Sequence, residues 1–100
     1  MKLIQVNPKE DNEQSIYSAL NEKERSLRHG VTSFSKKGKN KWRHVKFGGW
    51  ITLTNAPENI LFAKVKTRDA YTEGRLAEAF IGYLTRHCSD LIDFMTIYYR

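Results

Sequence analysis

Three segments of the chain alternate between apolar and polar residues, and this period of two constrains the fold more than any other feature. The alternation runs through Trp42–Phe47, Trp50–Thr54 and Ile60–Thr67. The β-branched and aromatic segment Phe94–Tyr99 predicts a final strand. Successive side chains of a β-strand point to opposite faces of its sheet. One set of alternating positions is apolar throughout: Ile51, Leu53, Leu61, Ala63, Val65, Met95 and Ile97. A sheet with one buried face is therefore predicted.

Two helices are expected to cover that apolar face. The first is predicted to begin at Asn7, as its cap, and to run to about Arg28. The second is predicted over about residues 70–90, with Asp69 or Thr67 as its cap. Its apolar residues recur at helical spacing: Ala77, Phe80, Ile81, Leu84, Cys88 and Leu91.

Further strands are predicted at Lys2–Val6 and Trp42–Phe47, so the order becomes β-α-β-β-β-α-β. This order predicts the α+β class: a two-layer sandwich in which two helices pack on one face of a four- to five-stranded, mostly antiparallel sheet. The length of 100 residues suits a single domain, residues 1–100, with one modest core. The segment of about residues 31–41 is rich in serine, glycine and lysine, and it is predicted to be a mobile basic loop.

The positive charge of the chain is concentrated in its central third. The net charge is +6, yet no acidic residue occurs between Glu24 and Glu58, where eight basic residues lie. A concentrated positive surface indicates a polyanionic partner. A lysine-rich loop that only keeps a small protein soluble would explain the charge equally well.

The second set of alternating positions mixes aromatic rings with cations and hydroxyls. If the helices cover only the apolar face, this second face is open. Rings beside cations suit single-stranded nucleic acid, because bases stack on the rings while cations contact phosphates. The same face would also suit a protein partner or a second copy of the chain. The predicted nucleic-acid-binding residues are Lys36, Lys37, Lys39, Lys41, Trp42, Arg43, His44, Lys46, Trp50, Phe62, Lys64 and Lys66.

The pair Gly48-Gly49 decides which way the preceding basic stretch faces. As a two-residue hairpin turn, it would place Trp42, His44 and Lys46 on the core side and leave an ordinary hairpin. As an extended or bulged passage, it would place all three on the open face together with Trp50. We favour the second arrangement, which is the one that strengthens the nucleic-acid hypothesis.

Residues with catalytic or metal-binding chemistry are sparse. The three histidines are scattered through the chain, and the adjacent His87 and Cys88 would point about 100° apart on a helix. No metal, cofactor or catalytic residue is therefore predicted. A metal-independent ribonuclease would need a base beside cations. Only His44, near Arg43 and Lys46, fits that need, and its simpler role is that of a surface strand residue.

The sequence also bears on location. It has no apolar run of the roughly 18 residues that a membrane span needs, and its N-terminus lacks the apolar core of a signal peptide. A single cysteine cannot form an internal disulfide, which favours a reducing, cytoplasmic setting.

The α-β-β-β-α order of residues 8–90 is similar to that of the double-stranded-RNA-binding module. That module opens its last helix with lysines, whereas Arg68 is followed here by Asp69, so no family is assigned. We predict a small cytoplasmic, non-enzymatic nucleic-acid-binding protein, with RNA or single strands favoured. The alternative is a protein-interaction module, either a homodimer or a module for an acidic protein partner, that uses the same aromatic face.

Overall fold

Six β-strands form one sheet in the computed structural model, which describes residues 2–10, 13–27, 30 and 32–99. The strands lie in the order β2-β3-β4-β5-β1-β6, and every neighbouring pair is antiparallel. Their bounds are β1 Lys2–Pro8, β2 Phe34–Lys36, β3 Lys41–His44, β4 Trp50–Asn55, β5 Leu61–Lys66 and β6 Ile92–Tyr99. The helices are α1 Ile16–Leu27 and α2 Ala70–Cys88, and short 3₁₀ turns lie at Pro57–Asn59 and Ser89–Leu91.

The α+β class and the antiparallel sheet are confirmed. Buried side chains of both helices, such as Leu20 and Phe80, belong to the same core cluster as the apolar face of the sheet, with Ile51 and Val65. The predicted number and order of strands were wrong, because the described chain reads β-α-β-β-β-β-α-β. Met95 and Ile97 are only half-buried, since they lie on the edge strand β6.

The additional strand is β2, which lies inside the segment predicted to be an irregular basic loop. Phe34 explains its position: the ring is buried and meets the rings of Phe80 and Tyr83 edge-on, at centroid distances of 5.6 and 5.2 Å. One large buried side chain thus outweighs the local preference of serine and glycine for irregular structure. The expectation of irregular structure was wrong for residues 34–36 and for Lys41, which begins β3, and Val31 lies outside the described residues.

Helix α1 begins at Ile16, later than the predicted start near Asn7. The hydroxyl oxygen of Ser15 accepts a hydrogen bond at 3.0 Å from a backbone amide three residues later and so caps the helix. Asn7 and Pro8 instead form the end of β1. The pairing of β1 with β5 ends at Val6, so the missing backbone N–H of Pro8 removes no hydrogen bond to β5. The predicted helix end at Arg28 lies outside the described residues.

Helix α2 agrees closely with its prediction. The Oδ1 atom of Asp69 accepts a hydrogen bond from the amide of Thr72 at 2.8 Å and caps the helix. Leu76 and Tyr83 join the predicted apolar stripe as buried residues. In the part of the chain that the structure describes, no helix combines the length and the apolar character needed to cross a membrane.

Candidate nucleic-acid interface

The face of the sheet turned away from the helices carries exposed cations on β3 and β5, with Trp50 and Thr52 of β4 between them. The strand register places Trp50 opposite Lys66, and it places Thr52 between Lys41 and Lys64. The cations and Thr52 are exposed, and Trp50 is half-exposed. We call this surface the cationic face; its residues are Lys41, Arg43, Trp50, Thr52, Lys64 and Lys66.

A cleft opens on the cationic face. Its volume is about 800 Å³, and ligand sites span roughly 300–1,000 Å³. The cationic face, the loop before β4 and the segment joining β5 to α2 all contribute to its lining. The lining residues beyond the cationic face are Gly48, Gly49, Thr67, Arg68, Asp69 and Thr72. With Arg68 included, the cleft brings together five cationic side chains.

Two of these cations lie over the indole ring of Trp50. The Nζ atom of Lys41 is 4.5 Å from the ring centroid, and the guanidinium carbon of Arg43 is 4.6 Å from it. Each such contact contributes roughly 0.5–1 kcal/mol at an exposed site. A half-exposed ring that could stack on a base therefore lies beside two groups that could bind a phosphate.

The lining of the cleft is positively charged, because it holds five cations and one carboxylate, that of Asp69. Arg75 and Glu78 on α2 form an ion pair at 3.6 Å, and neither of them lines the cleft. The carboxylate of Asp69 in the lining accepts hydrogen bonds from the amide and the hydroxyl of Thr72, at 2.8 and 2.9 Å. These bonds, the backbone bond first, lower the pKa of Asp69. The cleft is therefore suited to an anion.

Gly49 brings the loop before β4 against the end of β5. Its φ of 105° lies in the range that side chains avoid. A Cβ atom at this position would lie 2.5 Å from Cγ2 of Thr67 and 2.6 Å from the carbonyl oxygen of Lys66. The neighbouring Gly48 has open space at the same position. Glycine is thus required at residue 49 for the close approach that shapes this side of the cleft.

Trp42 does not belong to the cationic face. It lies opposite Ile51, and its side chain is fully buried, with its ring 6.4 Å from that of Tyr83. The favoured arrangement of the two tryptophans was wrong, because the connection is neither a two-residue turn nor an extended passage. Five residues, 45–49, join β3 to β4, and the alternation of β3 is not carried across them. Because Trp42 points to the core, its neighbours Lys41 and Arg43 in β3 point to the open face, where they lie beside Trp50.

His44 also lies on the helix side of β3, opposite Phe34. Its Nδ1 atom accepts hydrogen bonds from the amides of Lys46 and Phe47, at 2.9 and 3.2 Å. Its ring stacks on that of Phe47 at a centroid distance of 4.9 Å. Partial burial and then the charge of Lys46 lower the pKa of His44. These contacts give His44 a role in shaping the loop, and they separate it from the cations of the cleft.

We expect the stability of the protein to fall as the pH drops from 7.5 to 5. The pKa values of His44 and His87 are both lowered, first by partial burial and then by nearby cations. Between the lowered pKa of the folded chain and the ordinary histidine pKa of about 6.5, the unfolded chain therefore binds more protons than the folded chain. Stability falls as the pH drops through this range. Urea unfolding at several pH values measures this slope. The variant His44→Asn keeps an acceptor and should flatten the slope; an unchanged slope would contradict the assignment.

The other predicted cations lie outside the cleft. Lys36 points to the helix side, where its Nζ atom donates to Oδ1 of Asn21 at 2.7 Å. Lys37 and Lys39 are exposed beside and within the turn between β2 and β3. Lys46 lies in the loop before β4, 5.9 Å from the ring centroid of Phe47. The predicted group is therefore divided between two sides of the sheet.

Phe62 is on the open side of the sheet, opposite Thr54 and Gln5, but it is not among the residues that line the cleft. The predicted binding residues did not include the lining residues Thr52, Thr67, Arg68 and Thr72. A signal for Arg68 was present, because Lys64, Lys66 and Arg68 continue one alternation of cations past the end of β5. The role of Asp69 as a helix cap was predicted, but its position in the cleft lining was not.

Within the described ranges, no group of three or more histidine, cysteine or acidic side chains could hold a metal ion. Cys88 is buried, and burial raises the pKa of its thiol to about 11. A thiol with so high a pKa is a poor nucleophile at neutral pH.

Comparison with protein-family models found no match, and comparisons with curated proteins and with solved structures found no significant match.

Proposed function

We propose that the protein binds single-stranded nucleic acid, RNA or DNA, in the cleft of the cationic face. One observation carries the proposal: a cleft on the side of the sheet away from the helices is lined by five cations and a single carboxylate, and two of the cations lie over a half-exposed indole ring. The cations would contact successive phosphates, and Trp50 would stack on a base. Bases must be unpaired to stack in this way, which is why a single strand is preferred over a duplex.

The chemistry of the cleft favours binding over catalysis. Phosphodiester cleavage needs a base and an acid near the phosphate, but the lining offers lysines, arginines, threonines and the capped Asp69. His44 accepts two backbone hydrogen bonds elsewhere. We therefore propose a non-enzymatic binding protein, and the lone buried Cys88 is compatible with action in the reducing cytoplasm.

The expected signature of binding is a strong dependence on salt. Each phosphate contact with a single strand contributes about −0.7 to the slope of log K against log salt concentration, so five contacts give at most about −3.5. The anisotropy of a short labelled oligouridylate, titrated at several salt concentrations, measures this slope. Binding that is indifferent to salt, or no binding at low salt, would refute the proposal.

A matched pair of charge variants locates the contacts. The double variant Lys64→Gln, Lys66→Gln should reduce the slope by about 1.4, because two contacts are lost. The control Lys37→Gln, Lys39→Gln removes the same charge from exposed positions outside the cleft and should change the slope far less. Equal effects of the two double variants on the salt slope would show that binding depends on the net charge of the protein and not on the cleft.

Polyglutamate separates this proposal from an acidic protein partner. It carries charge but no bases, so it should compete for the cleft much more weakly than an oligonucleotide of similar charge. Competition as strong as that of the oligonucleotide would favour a protein partner instead.

A further inference from the structure

The two edges of the sheet differ sharply in their protection against pairing. The edge strand β2 has three residues, and it ends in Lys36, which is tied to Asn21 of α1. The opposite edge is β6, with eight residues and no strand on its far side among the described residues. Short strands, charges, prolines and bulges are the usual protections of an edge. β2 has the first two of these.

Strand β6 has protection only at its beginning. The register with β1 shifts between Asn7 and Pro8, which leaves Asp93 as an unpaired extra residue. Beyond this bulge, the segment from Phe94 to Tyr99 contains no charge, no proline and no glycine. Its exposed rings are 52%, 39% and 75% accessible, at Phe94, Tyr98 and Tyr99. An uncharged edge with three exposed rings is the kind that pairs with another strand.

We infer that β6 pairs antiparallel with β6 of a second copy of this chain, about a two-fold axis through Thr96. Residues opposite each other in an antiparallel pair share a face, and this register satisfies that condition. It places Phe94 of one copy opposite Tyr98 of the other on the open side, and Met95 opposite Ile97 on the helix side. Rings and half-buried apolar side chains thereby pack against complementary partners.

Charge also favours this partner. Asp93 is exposed at one end of β6. At the other end, the Nζ atom of Lys2 lies 5.5 Å from the ring centroid of Tyr99. Antiparallel pairing about Thr96 brings the acidic end of each strand to the basic end of the other. A second copy of the chain therefore matches this edge in length, in apolar pattern and in charge.

The dimer would carry two copies of the cleft on the same side of one twelve-stranded sheet. Five strand intervals separate β5 from its counterpart, which amounts to about 24 Å at a spacing of about 4.8 Å. A strand whose stacked nucleotides lie about 3.4 Å apart would need roughly seven nucleotides to reach from one cleft to the other. This consequence rests on the proposed function, whereas the dimer itself does not.

Light scattering on a sizing column tests the dimer directly. The expected mass is twice the 11.7 kDa of one chain, falling toward one chain on dilution over a roughly hundredfold range. Thr96→Lys places two like charges opposite each other and should abolish the dimer. The control is Thr54→Lys, the same change on the open side of β4, away from the edge; it should leave the dimer intact.

Circular dichroism establishes that both variants are folded, and a short oligouridylate should bind both alike. A wild-type monomer at every concentration, or a dimer that survives Thr96→Lys, would overturn the inference even if nucleic acid binds. A dimer without nucleic-acid binding would instead refute only the proposed function.

A disulfide trap tests the register. Two cysteines introduced by Thr96→Cys would lie opposite each other across the axis, at a separation of about 4.5–5.5 Å between Cα atoms, which a disulfide can bridge. Oxidised glutathione accepts the two electrons that the thiols lose. The buried Cys88 should remain reduced, and Thr54→Cys is the control. Absence of a rapid cross-link in a dimer would overturn the Thr96 register.

Discussion

Replacement of Trp42 by alanine is expected to lower the free energy of unfolding by about 3–5 kcal/mol, the usual cost of truncating a large buried ring. The side chain is fully buried between β3 and α2, where it meets Tyr83. Small domains are stable by only about 5–15 kcal/mol, so this variant should be partly unfolded at moderate temperature. Urea unfolding, followed by circular dichroism, measures the loss.

The other tryptophan is the control. Trp50→Ala removes a half-exposed ring that belongs neither to the core cluster nor to the side chains packed against it, so its effect on stability should be far smaller. Its effect on binding should be large, because stacking of a base contributes roughly 1–3 kcal/mol. Similar losses of stability in the two variants would contradict their assignment to opposite sides of the sheet.

Trp42→Phe gives a second measurement. The Nε1 atom of Trp42 is buried without a hydrogen-bond acceptor among the described residues. Phenylalanine keeps most of the apolar contact and removes this unsatisfied donor, so it should cost much less than alanine. The variant also leaves Trp50 as the sole indole of the chain. Its fluorescence should then change when an oligonucleotide enters the cleft.

Gly49→Ala is expected to cost about 2–6 kcal/mol, from backbone strain of about 1–3 kcal/mol and a further steric cost of similar size. The added Cβ would lie 2.6 Å from the carbonyl oxygen of Lys66, and a backbone atom cannot turn away as a side chain can. Gly48→Ala is the matched control and should change stability by less than about 0.5 kcal/mol. Thermal and urea unfolding of the two variants, side by side, check this difference.

The Gly49 variant should also distort the cleft. If Gly49→Ala proves as stable as Gly48→Ala, the tight approach of the loop to Thr67 is incorrect. Oligonucleotide binding then needs a different explanation, because Lys66, Thr67 and the loop would not define one cleft.

Alternation predicted the parts of the fold in which a strand has one buried and one exposed face. It identified β4 and β5, and it placed Trp50, Lys64 and Lys66 on the open side. The assignment of alternate residues to the two faces of the sheet holds only within one continuous strand, however. The assignment does not extend across the irregular loop of five residues between β3 and β4. The orientation of Trp42 was therefore predicted incorrectly from that of Trp50.

Two other errors arose where tertiary contacts overrule local preference. Phe34 makes a strand of a serine- and lysine-rich segment, because its ring fills a space between α2 and β3. Asn7 and Pro8 have the features of a helix start, but they continue β1 as far as its neighbour β6 allows. The composition of the cleft followed from sequence more readily than its shape, which depends on how Gly49 meets β5.

The position of β1 has a consequence for how the chain folds. β1 lies between β5 and β6, so its residues pair with residues 61–65 on one side and 92–99 on the other. These contacts span most of the sequence, and such long-range pairing slows folding. During synthesis, the first strand stays without either neighbour until β5 has been made, and it gains the second only with β6. The hairpins from β2 to β5 are local, so we expect them to form early, and insertion of β1 to be the late step that completes the sheet.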